Sequence, residues 1–187
     1  MDSAETCLGF YTLNETQDAE GYLGAILITD GRGRPLEFRV TYPVRPSAFQ
    51  RPLYGDALEP YIGVELCGER LLTSLDHDMD LLIVSRRYLL DIREMVPCPV
   101  VHLERVGDAI EVESDARAPQ TWATGRVDSP SGRFQPVNVR VPSEWEDDLD
   151  RCRAVLEEAF DHLDLTEPFD RVSRALKLLA KEDRRFA

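Results

Sequence analysis

Lysine is nearly absent from this chain of 187 residues: Lys177 and Lys181 are the only two, so arginine carries nearly all of the positive charge. Such a bias is typical of a GC-rich bacterial genome. Acidic residues outnumber basic ones by 35 to 22, which leaves a formal net charge of −13. Because an acidic surface repels phosphate backbones, we do not expect nucleic acid as a partner unless arginines cluster locally.

The sequence also lacks paired cysteines and long apolar runs. No two of its four cysteines have the CxxC spacing of metal or redox motifs, and we expect them to be small buried hydrophobic residues: Cys7, Cys67, Cys98 and Cys152. No apolar run approaches the ~18 residues of a membrane span. The first residues, MDSAETC, lack the basic and apolar regions of a signal peptide. We therefore expect no membrane association and a cytoplasmic location.

The first 106 residues have the pattern of a mixed α/β core. Apolar runs at 7–13, 22–28 and 36–42, separated by turn residues, predict a three-stranded antiparallel meander. Residues 48–75 are apolar at near-helical spacing but contain prolines and glycines, which predicts two shorter helices with a break. The all-apolar run at 81–84, the amphipathic stretch 86–95 and the run 99–103 predict a βαβ unit with parallel strands.

The rest of the chain changes character twice. Residues 107–142 form a polar connection in which 121–127 and 134–141 predict a second hairpin. Residues 143–187 predict a helical hairpin packed on the core, with a capping box from Ser143 to Glu146 and a second cap at Thr166. The fold class that we expect is α/β (α+β), in the three segments 1–106, 107–142 and 143–187.

Three antiparallel strands followed by helix, strand, helix and strand resemble the element order of the ribonuclease H-like fold. The resemblance covers roughly residues 7–104 and is one of topology, not of motif. It implies a metal-dependent nuclease whose carboxylates lie in the middle of the first strand, on the first helix and at the end of the fourth strand, where they hold two divalent metals.

The acids that this resemblance requires are missing from two of the three places. The first strand, CLGFYTL, contains no acid, and the fourth, LLIV, is followed by Ser85, Arg86 and Arg87. Glu59 and Glu65 are available on the helical stretch but have no partners. The sequence therefore predicts that the nuclease site of this fold is absent.

Three short motifs carry weaker chemical signals. The acidic run DHDMD at 76–80 lacks the glycine and distal glutamate of a calcium loop, and we interpret it as a solvated connector. The run DGRGR at 30–34 lacks the helix and the GKS/T of a phosphate loop, so we expect a tight hairpin turn. Cys98 and His102 are four residues apart on a strand, or ~13 Å, which is too far for a nucleophile and base pair.

Five arginines flank the expected sheet and could form a local basic patch: Arg39, Arg45, Arg51, Arg86 and Arg87. Arginine beside acidic neighbours usually forms surface ion pairs, and that is what we expect here.

With few candidate catalytic groups, the function that we expect is a non-enzymatic accessory or adaptor subunit that binds a protein partner in a cytoplasmic assembly. We expect no catalytic, cofactor-binding or metal-binding residues and no cofactor. The partner would contact apolar residues of the helical hairpin, namely Phe160, Phe169, Val172 and Leu176. The oligomeric state does not follow from the sequence.

Two alternatives stay open. The first is a divergent metal-dependent hydrolase or nuclease of ribonuclease H-like topology that uses Asp30, Glu37, Asp78 and Asp80, two of which would have to share a metal position. The second is a small-ligand sensor with a pocket between the sheet and the kinked helices, lined by Tyr54, Tyr61 and Trp122.

Overall fold

The computed structural model describes residues 6–107 and 121–186, which form a seven-stranded mixed sheet covered by helices on both faces. The strands lie in the order β3-β2-β1-β4-β5-β7-β6. Their bounds are β1 Cys7–Glu15, β2 Tyr22–Asp30, β3 Pro35–Val40, β4 Leu81–Val84, β5 Val100–Arg105, β6 Trp122–Val127 and β7 Val137–Pro142. The expected α/β class is confirmed.

The antiparallel meander at the start of the chain is confirmed. Strand β2 is buried along its whole length because it lies between β1 and β3 and is covered on both faces. The turn that leads to β3 is closed by the Asp30 carboxylate, which accepts hydrogen bonds from the amides of Arg32 and Arg34 at 2.9 and 2.8 Å. The DGRGR run is therefore a tight turn in which the amides of Asp30, Arg32, Gly33 and Arg34 are hydrogen-bonded within the turn.

Residues 50–73 form a broken helical segment, as the prolines and glycines predicted. Helix α1, Gln50–Tyr54, is separated by a 3₁₀ turn, Gly55–Ala57, from α2, Leu58–Pro60. Helix α2 continues through a π-helical stretch, Tyr61–Gly68, into α3, Glu69–Thr73. A Cβ atom added at Gly63 would lie 2.7 Å from Leu89 Cδ2, so this glycine allows close packing.

The predicted βαβ unit is present with one difference. Strands β4 and β5 are parallel neighbours, and β4 is also parallel to β1. The connection between β4 and β5 is a 3₁₀ helix, Arg87–Met95, in place of the expected α-helix. This 3₁₀ helix buries Leu89, Leu90 and Ile92 against the sheet.

The second hairpin extends the same sheet. Strands β6 and β7 pair in antiparallel fashion, and β7 pairs with β5. Residues 108–120, which include most of the polar connection before this hairpin, lie outside the described part of the chain.

The two expected C-terminal helices are α4, Asp148–Phe160, and α5, Glu167–Glu182. Both pack on the face of the sheet that carries Leu8 and Phe10. The predicted capping box is wrong, because Ser143–Trp145 forms a 3₁₀ turn and α4 begins only at Asp148, with no side-chain cap. Thr166 likewise makes no capping bond, and its hydroxyl donates to Asp164 at 2.9 Å. Among the described residues, no helix is long and apolar enough to cross a membrane.

Candidate functional site

The carboxyl ends of β1, β4 and β5 meet at one edge of the sheet, which we call the carboxyl edge. Thr12 of β1 and Ser85, the residue after β4, lie side by side there, and the Ser85 hydroxyl donates to the Thr12 hydroxyl at 2.8 Å. The amide of Asn14 reaches the same Thr12 oxygen at 3.4 Å. Two hydroxyls thus occupy the neighbouring central strands where the ribonuclease H-like topology implies carboxylates.

These residues do not fit a pair of divalent metals. Neutral hydroxyls are poorer ligands for divalent ions than carboxylates are, and the side chains of Thr12 and Ser85 carry no negative charge to offset that of a cation. Glu59 of α2 is held by the hydroxyl of Tyr88 at 3.3 Å. Within residues 6–107 and 121–186, no group of three or more histidine, cysteine, aspartate or glutamate side chains is placed to hold a metal ion.

A row of strand partners crosses the sheet next to this edge. The Cα partner of Val84 in β4 is His102 in β5, and the partner of His102 is Arg140 in β7. The Arg140 guanidinium donates to Glu104 with an Nη2–Oε2 distance of 2.7 Å. Arg140 Nε and His102 Nδ1 are buried and have no hydrogen-bond partner in the described structure.

His102 lies in a positive environment. Burial, with repulsion from Arg140, Arg87 and Arg86, lowers the pKa of His102 to about 4, despite the opposing hydrogen bond to the Ser85 backbone. His102 is therefore neutral near pH 7. Arg86 is exposed and Arg87 is half-buried, so the first of the two guanidinium groups faces solvent. Each of these arginines already takes part in an interaction within the chain.

A cleft of about 150 Å³ opens beside the last residues of β1. It lies between the ends of β1 and β2 and one side of α5. Its lining includes Asn14, Glu15, Leu23, Lys177 and Phe186.

The four carboxylates proposed for a divergent metal site divide into two places. Asp30, Asp78 and Asp80 lie around Cys7. Burial raises the pKa of the Cys7 thiol, and the three carboxylates raise it further. The Asp80 carboxylate also accepts a hydrogen bond from the Cys7 amide at 2.8 Å. This is the amino end of β1, the opposite end from Thr12. Glu37 is elsewhere, bound to His77.

The acidic run 76–80 is tied to strand β3. Burial raises the pKa of Glu37, but hydrogen bonds from His77 and Arg39 outweigh it and bring the pKa to about 2. The Nδ1 atom of His77 lies 2.8 Å from Glu37 Oε2, and the amides of Asp76 and His77 also bind this carboxylate. The run is a connector held by Glu37.

Burial raises the pKa of Cys98 to about 11, so its thiol is a poor nucleophile. His102 lies on β5 with the row of strand partners described above. Cys98 lies just before β5, which begins at Val100.

Three of the five arginines proposed for a basic patch are paired with acids or the backbone. Arg39 contacts Glu37 and Asp76, each at 2.6 Å. Arg45 contacts Asp18 at 2.7 Å, and Arg51 donates to the Glu20 carbonyl at 2.8 Å. Arg86 and Arg87 are at the carboxyl edge instead, so the five do not form one patch.

The apolar residues proposed as a partner surface lie inside the chain's own core. Phe160 and Val172 are 0% and 1% exposed, Leu176 is 6% exposed, and Phe169 packs edge-on against Phe10 with ring centroids 5.8 Å apart. These side chains stabilise the contact between the C-terminal helices and the sheet.

The aromatic residues proposed for a ligand pocket are also dispersed. Tyr54 packs against Tyr61 with ring centroids 5.1 Å apart, while Trp122 lies on β6 against the cluster below the 3₁₀ helix. The described cleft is lined by other residues.

The fold is of an α/β class known from nucleases. No protein-family model matches the sequence, and no curated protein matches it. Among solved structures, the chain is similar to endonuclease V from Bacillus subtilis, with a TM-score of 0.58 and 10% identity over 95% of this chain and 83% of that one.

Two further solved structures support the likeness. The catalytic domain of human endonuclease V gives a TM-score of 0.55 and 12% identity over 95% of this chain and 83% of that one. Endonuclease V from Ciona intestinalis, in complex with a 23mer DNA containing an inosine followed by a ribo-adenosine, gives 0.50 and 9% over 82% and 76%.

These comparisons overturn two of our predictions. The accessory-subunit hypothesis, with its protein-interaction role, is wrong, because the solved structures that the chain resembles are endonuclease V structures, which favours the nuclease alternative. The prediction that nucleic acid is an unlikely partner is also wrong, because the endonuclease V from Ciona intestinalis, whose fold this chain resembles, is bound to DNA in its solved structure. Net charge is a weak guide to such a partner, because it averages over the surface, whereas binding depends on local charge.

Sequence reasoning missed Thr12, Arg140 and the pairing of His102 with its neighbours. Thr12 and His102 lie within largely apolar strands, where the pattern indicates a structural role. Arg140 lies in the predicted second hairpin, but the pairing of its strand β7 with β5 was not predicted. The signal that could have found Thr12 is its position in the middle of the first strand, where the topology implies an acid.

Proposed function

We propose that this chain is a nucleic-acid-binding protein built on the endonuclease V-like fold, and that nucleic acid binds at the carboxyl edge of its sheet. The observation that carries the proposal is the likeness to endonuclease V over 95% of the chain, at a TM-score of 0.58. A fold alone does not determine an activity, and the proposal therefore also depends on the basic groups at this edge.

The residues at the carboxyl edge support binding better than cleavage. Metal-dependent cleavage needs carboxylates that hold divalent ions, and Thr12 and Ser85 supply hydroxyls. We therefore propose that the chain recognises nucleic acid without the two-metal chemistry that the ribonuclease H-like topology implies. A cytoplasmic location is part of this proposal.

The test is a binding and cleavage panel with the full chain. Fluorescence anisotropy would be measured with labelled 24-nucleotide single-stranded DNA, duplex DNA, RNA, and duplexes that contain an inosine. The same mixtures, with Mg²⁺ or Mn²⁺ added, would be resolved on denaturing gels. We expect salt-sensitive binding to at least one of these oligonucleotides and intact strands on the gel.

Absence of binding to every oligonucleotide would overturn the proposed function. Binding together with Mn²⁺-dependent cleavage would support nucleic-acid binding but overturn the binding-only part of the proposal. A preference for the inosine duplex would extend the likeness to the Ciona structure from fold to ligand.

A further inference from the structure

The carboxyl edge has the opposite charge from a metal-binding nuclease site. Ser85 follows β4 where the topology implies an acid, and the next two residues are Arg86 and Arg87. Positive groups and hydroxyls thus stand where a two-metal site would have carboxylates. A divalent cation would be repelled there, and an anion would be attracted.

Arg140 adds a third guanidinium two strands away. Neighbouring strands lie ~4.8 Å apart, so Arg140 of β7 is about 10 Å from the end of β4 across His102. Arginine side chains that extend towards each other from the end of β4 and from Arg140 can span that separation. Arg140, Arg87 and Arg86 all repel a proton on His102, which agrees with this arrangement of the strands.

Two buried nitrogens at this place have unmet hydrogen-bonding capacity. His102 is 6% exposed and its Nδ1 has no partner, and the Nε–H of Arg140 has none in the described chain either. Buried polar groups of native proteins are nearly all hydrogen-bonded. An acceptor, such as a phosphate oxygen, would satisfy the Arg140 donor, whose terminal nitrogen already binds Glu104.

Glu104 is the acid that opposes these charges along β5. Its carboxylate binds Arg140 Nη2 at 2.7 Å and lies 3.8 Å from His102 Nδ1. The Glu104 carboxylate thus holds the Arg140 guanidinium at its terminal nitrogen. Guanidinium groups also match phosphate in geometry, since two parallel N–H donors meet two oxygens.

We propose that the carboxyl edge binds a phosphodiester of a nucleic-acid strand directly, through Arg86, Arg87 and Arg140, with no metal ion between protein and phosphate. This inference rests on the proposed function and identifies the group that is bound. Arg86 is the exposed first contact. Because Arg86 and Arg87 already have interactions within the chain, the phosphate exchanges with these contacts when it binds.

The experiment compares two double variants that remove equal charge. R86Q/R87Q removes two guanidinium groups from the carboxyl edge, and R153Q/R174Q removes two from the exposed faces of α4 and α5, where Arg153 and Arg174 are 48% and 69% exposed. Affinity for labelled DNA and RNA oligonucleotides is measured in EDTA and in Mg²⁺, at several salt concentrations. Inorganic phosphate at constant ionic strength serves as a competitor, and circular dichroism checks that each variant is folded.

We expect R86Q/R87Q to weaken binding about tenfold or more and to reduce the salt slope by about two, while R153Q/R174Q changes affinity less than about threefold. Wild-type affinity should be equal in EDTA and in Mg²⁺. A more conservative variant, R140K, keeps the charge but loses the paired donors, and should weaken binding without changing the salt slope.

The outcomes separate this inference from the proposed function. If the wild type binds and R86Q/R87Q binds equally well, or if binding requires Mg²⁺, the direct phosphate contact is wrong while the proposed function stands. If the wild type binds no oligonucleotide, the proposed function is wrong and this inference is wrong with it. Competition by inorganic phosphate that R86Q/R87Q abolishes would support the contact independently of bases and sugar.

Discussion

The buried His102 should make the stability of the folded chain depend on pH. The pKa of His102 in the folded chain is about 4, against about 6.5 for an unperturbed histidine. Between these values the unfolded chain binds the proton and the folded chain does not. The free energy of unfolding should therefore be highest above pH 6.5 and fall as the pH is lowered towards 4, by up to about 3 kcal/mol from this residue.

Urea unfolding at pH 7.5 and pH 4.5 measures this effect. His102→Asn removes the titrating ring, so the loss of stability between the two pH values should shrink by about 2 kcal/mol relative to the wild type. His162→Asn is the control, since His162 is an exposed histidine on the surface after α4. An equal loss in the His102 variant and the wild type would contradict the prediction.

Thr12 and Ser85 allow a second test, in which the carboxylates of a metal site are introduced at these two positions. The double variant T12D/S85D places two carboxylates where two hydroxyl oxygens are 2.8 Å apart. Like charges at that distance repel, so we expect the variant to be destabilised in EDTA and restabilised by Mn²⁺, by about 2.7 kcal/mol when the ion is present at 100 times its dissociation constant. Thermal melts with and without Mn²⁺ measure this.

The uncharged control for that variant is T12N/S85N, which should show no response to Mn²⁺. The wild type should show none either. A wild-type melting temperature that rises with Mn²⁺ as much as that of T12D/S85D would mean that the chain has a metal site of its own.

Arg93 and Asp148 form a buried ion pair between the 3₁₀ helix and the start of α4. Arg93 Nε lies 2.5 Å from Asp148 Oδ2, both side chains are under a tenth exposed, and the guanidinium also packs over Trp145. Asp148→Asn leaves a buried positive charge without its partner, so we expect a loss of about 3–5 kcal/mol in urea unfolding.

The exposed pair of Arg153 and Glu157 provides the comparison. These side chains are about half exposed and their closest N–O distance is 3.9 Å. Glu157→Gln should cost less than about 1 kcal/mol. Similar losses in the two variants would show that the buried pair contributes no more than a surface one.

At the level of single residues, the sequence predicted more of the core than of the site. Apolar residues of the strands were placed correctly because burial follows from local pattern, whereas Phe160, Val172 and Leu176 were assigned to a partner surface and lie in the core. The roles of Thr12, Ser85 and Arg140 depend on which strands are neighbours, and that depends on contacts between residues distant in sequence: Thr12 and Ser85 are 73 positions apart, and the strand partners His102 and Arg140 are 38 apart (140 − 102). Ser85 was noted as a missing acid, but its hydrogen bond to Thr12 required the register of β1 and β4.

At the level of elements, the π-helical stretch Tyr61–Gly68 packs unusually close to the sheet. The Tyr11 hydroxyl donates to the Gly63 carbonyl at 2.5 Å, and a Cβ atom added at Gly24 of β2 would be 2.6 Å from the Cβ of Cys67. That contact involves an atom fixed to the backbone, so it cannot be relieved by a side-chain rotation. The absence of a side chain at Gly24 sets the distance between helix and strand.

Gly24→Ala should therefore destabilise the chain by about 1–3 kcal/mol through overpacking. The matched control is Gly125→Ala on β6, where an added Cβ would meet Leu149 Cδ2 at 3.4 Å, an ordinary contact. Thermal or urea unfolding of the two variants tests this. A Gly24 variant as stable as the Gly125 variant would mean that the helical segment moves away from the sheet at little cost.

Element types were predicted well and their details were not. The meander, the parallel pair and the second hairpin follow from alternation and turn residues. The 3₁₀ form of Arg87–Met95 does not, because its apolar residues Leu89, Leu90 and Ile92 fit an α-helical pattern as well. The capping box at Ser143 failed because local capping residues do not determine where α4 begins when Asp148 is bound by Arg93.

At the level of the whole molecule, the net charge of −13 and the basic groups at the carboxyl edge oppose each other during binding. The overall charge repels a phosphate backbone at long range, and salt screens this repulsion with a Debye length of about 10 Å at 0.1 M. The arginines act at contact distance. If three of them each neutralise one phosphate, the logarithm of the affinity for duplex DNA should fall with the logarithm of the salt concentration with a slope of about −2.7.

These two effects act on different rate constants. Added salt screens the repulsion during approach, so we expect the association rate constant to rise slightly or stay constant with salt, and the dissociation rate constant to carry the loss of affinity. Stopped-flow anisotropy between 50 and 200 mM salt would measure both. A binder whose overall charge attracts DNA shows the reverse, a steep fall of the association rate constant.

The two double variants separate the effects within one protein. Both R153Q/R174Q and R86Q/R87Q make the chain more negative by two charges, so both should slow association slightly. Only R86Q/R87Q loses contacts with the bound phosphate, and only this variant should dissociate faster. Faster dissociation of R153Q/R174Q would place the bound strand on α4 and α5, and a wild-type association rate constant that falls steeply with salt would mean that a larger basic surface than the carboxyl edge captures the nucleic acid.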